Sequence, residues 1–333
     1  MKKGIFALAL SLFMLCSFAQ TIPRLVWLDG EEIKNLSKRK LVLCTYTESD
    51  SEITRLEAKL GKAKDEKKKT FQDRIDYHKS LNKIFRDDML NLVRENWTLG
   101  STENIEVFSF TDLMAQSKKK KTDTAVLMLR YIGQSGSSYD PINTDVDFPA
   151  MTLQGIEHFG NNARSISFPL IASSEKLASR QDAVLTIKLL DALVTDNLKS
   201  AKRLDVNDFV KASVKKNCNK KKELTTCVNK ELLRKIEPGE VQIAYGHKVE
   251  LMSNEDFIST YEGTDPVLAA VCIPVTIGQG RIGPISSSAL IYGRMVINTK
   301  TGEIFGYSDL VSGELAGEVM FKKEHFENMG ECK

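Results

Sequence analysis

The chain has only four histidines, His78, His158, His247 and His325, and no two stand three or four residues apart. There is no C-x-x-C either, so the spacings that announce a zinc site are missing. No G-x-S-x-G occurs, and no cysteine–histidine pair can be argued as a nucleophile from its spacing. Excess charge is absent too: 47 Lys and Arg stand against 44 Asp and Glu, a net of +3. A near-neutral chain lacks the basic surplus that nucleic acid selects, so no nucleic-acid partner is expected. Past residue 20 there is no apolar run of about 18 residues, the length a spanning helix needs. No catalytic, cofactor-binding or metal-ligating residue is assigned on these grounds.

What is present begins with "MKKGIFALALSLFMLCSFAQ". Lys2 and Lys3, a short apolar core and small residues at Ser17 and Ala19 read as a secretory signal of bacterial type, cleaved after Ala19. The rival is a lipoprotein signal with Cys16 acylated, but Leu15 stands where a small residue is wanted. Removal of residues 1–19 leaves 45 basic against 44 acidic residues. The mature chain is then expected in the periplasm or outside the cell, with no transmembrane segment. Five cysteines remain: Cys44, Cys218, Cys227, Cys272 and Cys332. An odd number in an oxidising compartment leaves a free or intermolecular thiol. Cys44 and Cys272 lie in apolar runs and read as buried thiols. Cys218 and Cys227 flank "NKKKELTT" and are expected to close a small loop by a disulfide.

Two segments share a pattern. "IEVFSFTDLMAQS" at 105–117 and "VELMSNEDFISTY" at 249–261 align at an offset of 144. Each has a short apolar strand, then Ser109 or Ser253 as a helix cap, with Asp112 or Asp256 three residues on. Each then enters an apolar run, "TAVLMLRYI" or "PVLAAVCIPVTI". Upstream, "LVLCTY" aligns with "LTTCVN", pairing Cys44 with Cys227 and leaving about 39 extra residues in the first copy. Those extras match a helical stretch over 49–97, read as two helices broken near Gly61 with a charged tip at 62–69. Residues 133–164 are polar and read as a loop; 179–202 read as a strongly apolar helix capped by Ser179 and Asp182. Two C-terminal strands join through a turn at 298–302, and a last helix is expected near 314–326.

The fold expected is α/β: two repeated strand–helix–strand units, a long helical insertion in the first, and a C-terminal antiparallel β-meander. Its parts are a signal peptide (1–19), the first repeat with its insertion (20–133), a polar loop (134–165), a helical connector (166–222), and the second repeat plus meander (223–333).

Three motifs invite stronger readings. Gly278-Gln279-Gly280-Arg281-Ile282-Gly283 spells the dinucleotide fingerprint, but Pro284 follows at once and no helical stripe begins there. It reads as a loop between antiparallel strands, over 278–288. Ser80-x-x-Lys83 with Lys300-Thr301-Gly302 spells two penicillin-recognition motifs, yet Ser80 falls mid-helix and the K-T-G in a turn. Asp140, Asn143, Asp145 and Asp147 begin like a calcium loop, but Phe148 and Gln154 stand where Gly and Glu belong.

An aromatic (Trp97, Tyr245) ahead of the strand, then S-x-x-D and the next strand, resembles secreted bacterial two-repeat α/β proteins of unknown function. It is also similar, more faintly, to the strand–helix–strand domains of periplasmic assembly proteins, such as the amino-terminal domain of the translocation protein that carries a β-propeller. The propeller is absent here. The resemblance implies protein–protein contacts and carries no site residues. The expected function is therefore a non-enzymatic secreted or periplasmic envelope protein that binds another protein or a surface polymer, with oligomerisation open. The alternative is a hydrolase of envelope glycans or peptides, with carboxylates in the 133–164 region.

Overall fold

The computed structural model describes residues 25–45, 49–119, 122–132, 148–159, 164–174, 177–200, 202–282, 285–308 and 319–331. The expected signal segment and the calcium-like residues 140–147 lie outside them. From the N-terminus come α1 (Gly30–Leu36), β1 (Lys40–Cys44), α2 (Ser49–Leu60), α3 (Asp65–Asp87), α4 (Met89–Asn96), β2 (Glu106–Phe108), α5 (Phe110–Ser117), β3 (Thr124–Ile132), β4 (Phe148–Gly155) and β5 (Ser165–Pro169). Then follow α6 (Arg180–Lys199), α7 (Val206–Asn217), β6 (Thr226–Asn229), α8 (Pro238–Tyr245), β7 (Val249–Met252), α9 (Asn254–Tyr261), β8 (Leu268–Ile282), β9 (Ile285–Asn298), β10 (Ile304–Ser308) and α10 (Lys323–Gly330).

The two S-x-x-D segments behave alike. Ser109 is the N-cap of α5: its Oγ accepts the Asp112 N–H at 3.1 Å and donates to Asp112 Oδ2 at 2.6 Å. Ser253 does the same for α9 with Asp256, at 3.1 and 2.6 Å. A cap of this kind satisfies an N–H that the first helical turn leaves without a partner, and the carboxylate suits the positive helix end.

The strands form two five-stranded mixed sheets, ordered β2-β1-β3-β4-β5 and β7-β6-β8-β9-β10. In each, the first three strands are parallel and the last two add antiparallel. The same plan is thus laid down twice. Its register corrects one alignment. Val42 lies opposite Glu106, and Cys227 lies opposite Glu250, so Val42 rather than Cys44 matches Cys227.

Other expectations shift as well. The insertion contains three helices rather than two, and α3 starts at Asp65, so most of the charged stretch 62–69 is helical. The break at Gly61 is present as a turn. Residues 133–164 are not all loop: β4 occupies Phe148–Gly155, buried throughout, and a 3-10 turn follows at Ile156–His158. The segment taken as a helical connector opens with the end of β5. The last helix begins at Lys323, nine residues after the expected start.

α6 organises the core. Ala183, Val184, Leu185, Ile187, Leu189, Leu190, Leu193 and Val194 are all buried, leaving only a narrow stripe through Gln181, Lys188, Ala192, Thr195 and Lys199 towards water. One face of the first sheet (Leu41, Leu43, Ala125, Leu127, Leu153) and one face of the second (Cys227, Ala269, Val271, Met295, Ile297) share its hydrophobic cluster. The other faces are covered separately. Val42, Cys44, Val126 and Met128 pack with Leu113 of α5. Val228, Leu268, Ala270 and Cys272 pack with Val241 and Tyr245 of α8 and Phe326 and Met329 of α10. Both faces of β3 and the root of β8 are therefore buried, which explains their unbroken apolar runs.

α10 docks closely. A Cβ on Gly330 would stand 2.3 Å from the Tyr245 carbonyl oxygen, so glycine lets the helix end touch α8. Lys221 Nζ donates to the Met329 carbonyl at 2.7 Å, and burial lowers its pKa to about 8.

Candidate interaction site

β8 and β9 outrun their sheet. β6 pairs with β8 only at Leu268 and Ala269, and β10 pairs with β9 only from Arg294 onward. Ala172, just past β5, makes a reciprocal bridge to Cys272, with N–O distances of 2.9 and 3.0 Å, and so joins the two sheets. From Pro274–Tyr292 to Ile282–Ile285 the two strands pair with each other, after one register shift between Pro274 and Thr276. Among the described residues no further strand joins either outer edge along this length. The result is a two-stranded ribbon of roughly 30 Å, at about 3.4 Å per residue.

This corrects the reading of 278–288 as a loop. Gly278, Gln279, Gly280, Arg281 and Ile282 lie in β8, paired with Ala289, Ser288, Ser287, Ser286 and Ile285. A fingerprint that bound pyrophosphate would need a helix N-terminus here; a strand occupies the place. Ser80 lies inside α3, where its Oγ donates to the Tyr77 carbonyl and accepts the Ala178 N–H, and Lys300 and Thr301 lie in the β9–β10 turn, so neither motif has the setting its chemistry needs.

The ribbon is rooted on a buried polar junction. Ser173, next to the Ala172 bridge, donates from Oγ to Asp182 Oδ2 at 3.0 Å. The same oxygen accepts the Ser179 N–H at 3.0 Å, and Oδ1 accepts the Tyr261 hydroxyl at 2.9 Å. Asp182 is thus both the third residue of α6 in a capping box and the tie between the first sheet's last strand and α9. Burial raises its carboxyl to about 7, against the downward pull of the Ser179, Tyr261 and Ser173 hydrogen bonds. Burial also raises the phenol of Tyr77, on α3, well above its ordinary value, with smaller contributions from Tyr292 at the ribbon root, Asp182 and Tyr131. The neighbouring His78 meets the Tyr131 hydroxyl at 2.5 Å. It is buried, and burial lowers it to about 4. Around the rim, Glu262 Oε1 accepts from Ser179 Oγ at 2.9 Å, and Arg180 pairs with Asp88 at 2.6 Å. The sequence showed Asp182 only as a cap; its sealing also depends on Tyr261, 79 residues away along the chain.

The expected Cys218–Cys227 disulfide is not formed. Cys227 is a free thiol held by its register in β6, and burial raises it to about 11. Cys218, in the 3-10 turn after α7, is disulfide-bonded. Cys227, a thiol, is not its partner. Peptide mapping without reduction is expected to show Cys218 in a disulfide-linked peptide and Cys227 as a free thiol. A free thiol at Cys218, or a Cys218–Cys227 peptide, overturns that assignment.

Among the described residues no group of three or more His, Cys, Asp or Glu is placed to hold a metal ion. No helix among them is long and apolar enough to cross a membrane. A shallow depression lined by Lys222, Gln242, His247 and Lys248 surrounds Ile243, which is 81% exposed, but no buried polar group points into it. No family model, curated protein or solved structure matches this chain.

Proposed function

We propose that this chain is a non-enzymatic protein of the cell envelope that binds another polypeptide by strand addition to the β8–β9 ribbon. The observation that carries the reading is the ribbon itself, two long strands whose outer edges no other described strand joins, on a body whose remaining sheet is packed on both faces. A two-stranded hairpin alone is marginal in water, so a projecting one gains from a further strand. Open edges offer rows of N–H and C=O groups at strand spacing, which another extended backbone matches group for group along the whole edge. Between the two partner classes expected from the sequence, this favours protein over surface polymer. The export signal expected in residues 1–19 and the resemblance to periplasmic assembly domains support the compartment.

The test is site-specific photo-cross-linking in the producing cell. A photoreactive residue at Gln279 should give a defined polypeptide adduct, while the same residue at exposed Lys67 on α3 should not. If Gln279 yields no adduct, or if the purified chain turns over a panel of envelope glycans or peptides, the reading fails.

A further inference from the structure

We infer that the polypeptide received by the ribbon is a second copy of this chain, so that copies join ribbon to ribbon through backbone hydrogen bonds. This deepens the binding reading and rests on it.

Three observations carry the step. First, among the described residues no further strand joins either edge of the ribbon, along residues 274–282 of β8 and 285–293 of β9, which are of equal length. The strands run antiparallel, so the β9 edge of one copy placed beside the β8 edge of another continues the same alternation with no change of direction. Each copy supplies one edge of each kind, so copies can join head-to-tail, and like edges can also pair antiparallel about a twofold axis as a dimer. Second, the segment carries almost none of the charge by which natural edges repel their own kind. Exposed edges are blunted by lysine and other charges, by short strands, by proline and by bulges; here the proline and the register shift of β8 stand at the root, at Pro274 and Thr276, and leave the rest of its length regular. From 275 to 292 the sequence "VTIGQGRIGPISSSALIY" has no Lys, Asp or Glu, and Arg281 is its one charge, in a chain that is 27% charged. Such an edge selects no partner by charge and keeps off no copy of itself. Third, the root is rigid. The Ala172–Cys272 bridge and the Ser173–Asp182–Tyr261 junction hold the ribbon's base against both sheets. A fixed base lets identical arms meet in one geometry, which lowers the ordering cost of association.

The experiment uses the full mature chain. Light scattering coupled to size exclusion, over a concentration series, should show a defined oligomer that falls towards the mass of one chain on dilution. Hydrogen exchange should show amides of 275–291 protected in the oligomer and released on dilution. Two variants test the cause. One replaces residues 275–291 by an Asn-Gly turn; the other, Gln279→Lys with Ser287→Lys, keeps the ribbon and adds charge. Both should be monomeric, with the circular dichroism melt of the parent. A wild type that stays monomeric across the series overturns the inference, as does an oligomer that persists in the turn variant. In cells, a Gln279 adduct containing only this chain supports it. An adduct with a different protein overturns it while leaving the binding reading standing, and no adduct removes both.

Discussion

Replacing Asp182 by Asn should unmask a rise in stability with pH between about 4 and 6.5 that the parent protein hides. Asp182 sits at about 7 in the folded chain, above the ordinary carboxyl value of 3.8. Between those values the folded protein holds a proton that the unfolded chain has released. Its contribution therefore falls as pH rises, by about 1.4 kcal/mol per unit and about 4 kcal/mol across the window. His78 acts in the opposite direction. It sits at about 4 when folded, against an ordinary 6.5. Between those values the unfolded chain is protonated and the folded chain is not, so stability rises with pH, by about 3 kcal/mol in all. From pH 4 to 6.5 the two slopes oppose and nearly cancel. Asp182→Asn leaves the His78 slope alone. His78→Gln, which keeps an acceptor for Tyr131, leaves the Asp182 slope, and stability then falls as pH rises. Urea midpoints measured at intervals from pH 4 to 7, taken as differences from the parent, decide the matter. Variant profiles that run parallel to the parent sink the assignment of either group.

The second large effect is expected at Leu190. It is fully buried on α6, in the cluster that both sheets share. Leu190→Ala should cost about 2–5 kcal/mol, the range for a large-to-small change in a core that cannot collapse around the gap. The loss should be felt on both sides of the helix. Amides of β3 in the first sheet and β8 in the second should lose hydrogen-exchange protection together, and the melt should remain one transition at a lower midpoint. If one sheet loses protection and the other keeps it, α6 belongs to one sheet's core and not to both.

Local signals were legible in the sequence because their physics is local. Ser109 with Asp112, Ser253 with Asp256 and Ser179 with Asp182 lie three residues apart, and in each case the carboxylate and the serine face the same helix start. What escaped depended on partners distant in sequence. β4 was hidden because Thr152 and Gln154 interrupt its apolar pattern. Both are buried against a polar sheet face, with Thr152 bonded to Ser167 at 2.9 Å and Gln154 beside Arg130. The ribbon was read as a loop because glycine and serine disfavour strands one residue at a time, whereas β8 and β9 hold each other by pairing. The Cys218–Cys227 pairing came from spacing alone; the register of β6 places Cys227 in a strand, opposite Glu250, and out of that loop. Asp182 was visible as a cap, but not as the buried tie between Ser173 and Tyr261.

The two sheets share one plan but turn different sides to α6. The first presents the face away from its crossover helix α5, while the second presents the face that carries α9, with Phe257 and Tyr261. The halves therefore face the same way along the stack, like coins stacked heads up, rather than meeting by like faces. Such a stack has polarity: one terminal surface is the α5 wall and the other the α8–α10 wall. Matching positions thus live under unlike constraint. Leu113 lines an outer wall and Phe257 the shared middle, although each follows its capping serine by four residues. Over evolutionary time the two copies are expected to drift in composition even while their strand order is held, because the same place in the plan is a skin in one and a heart in the other.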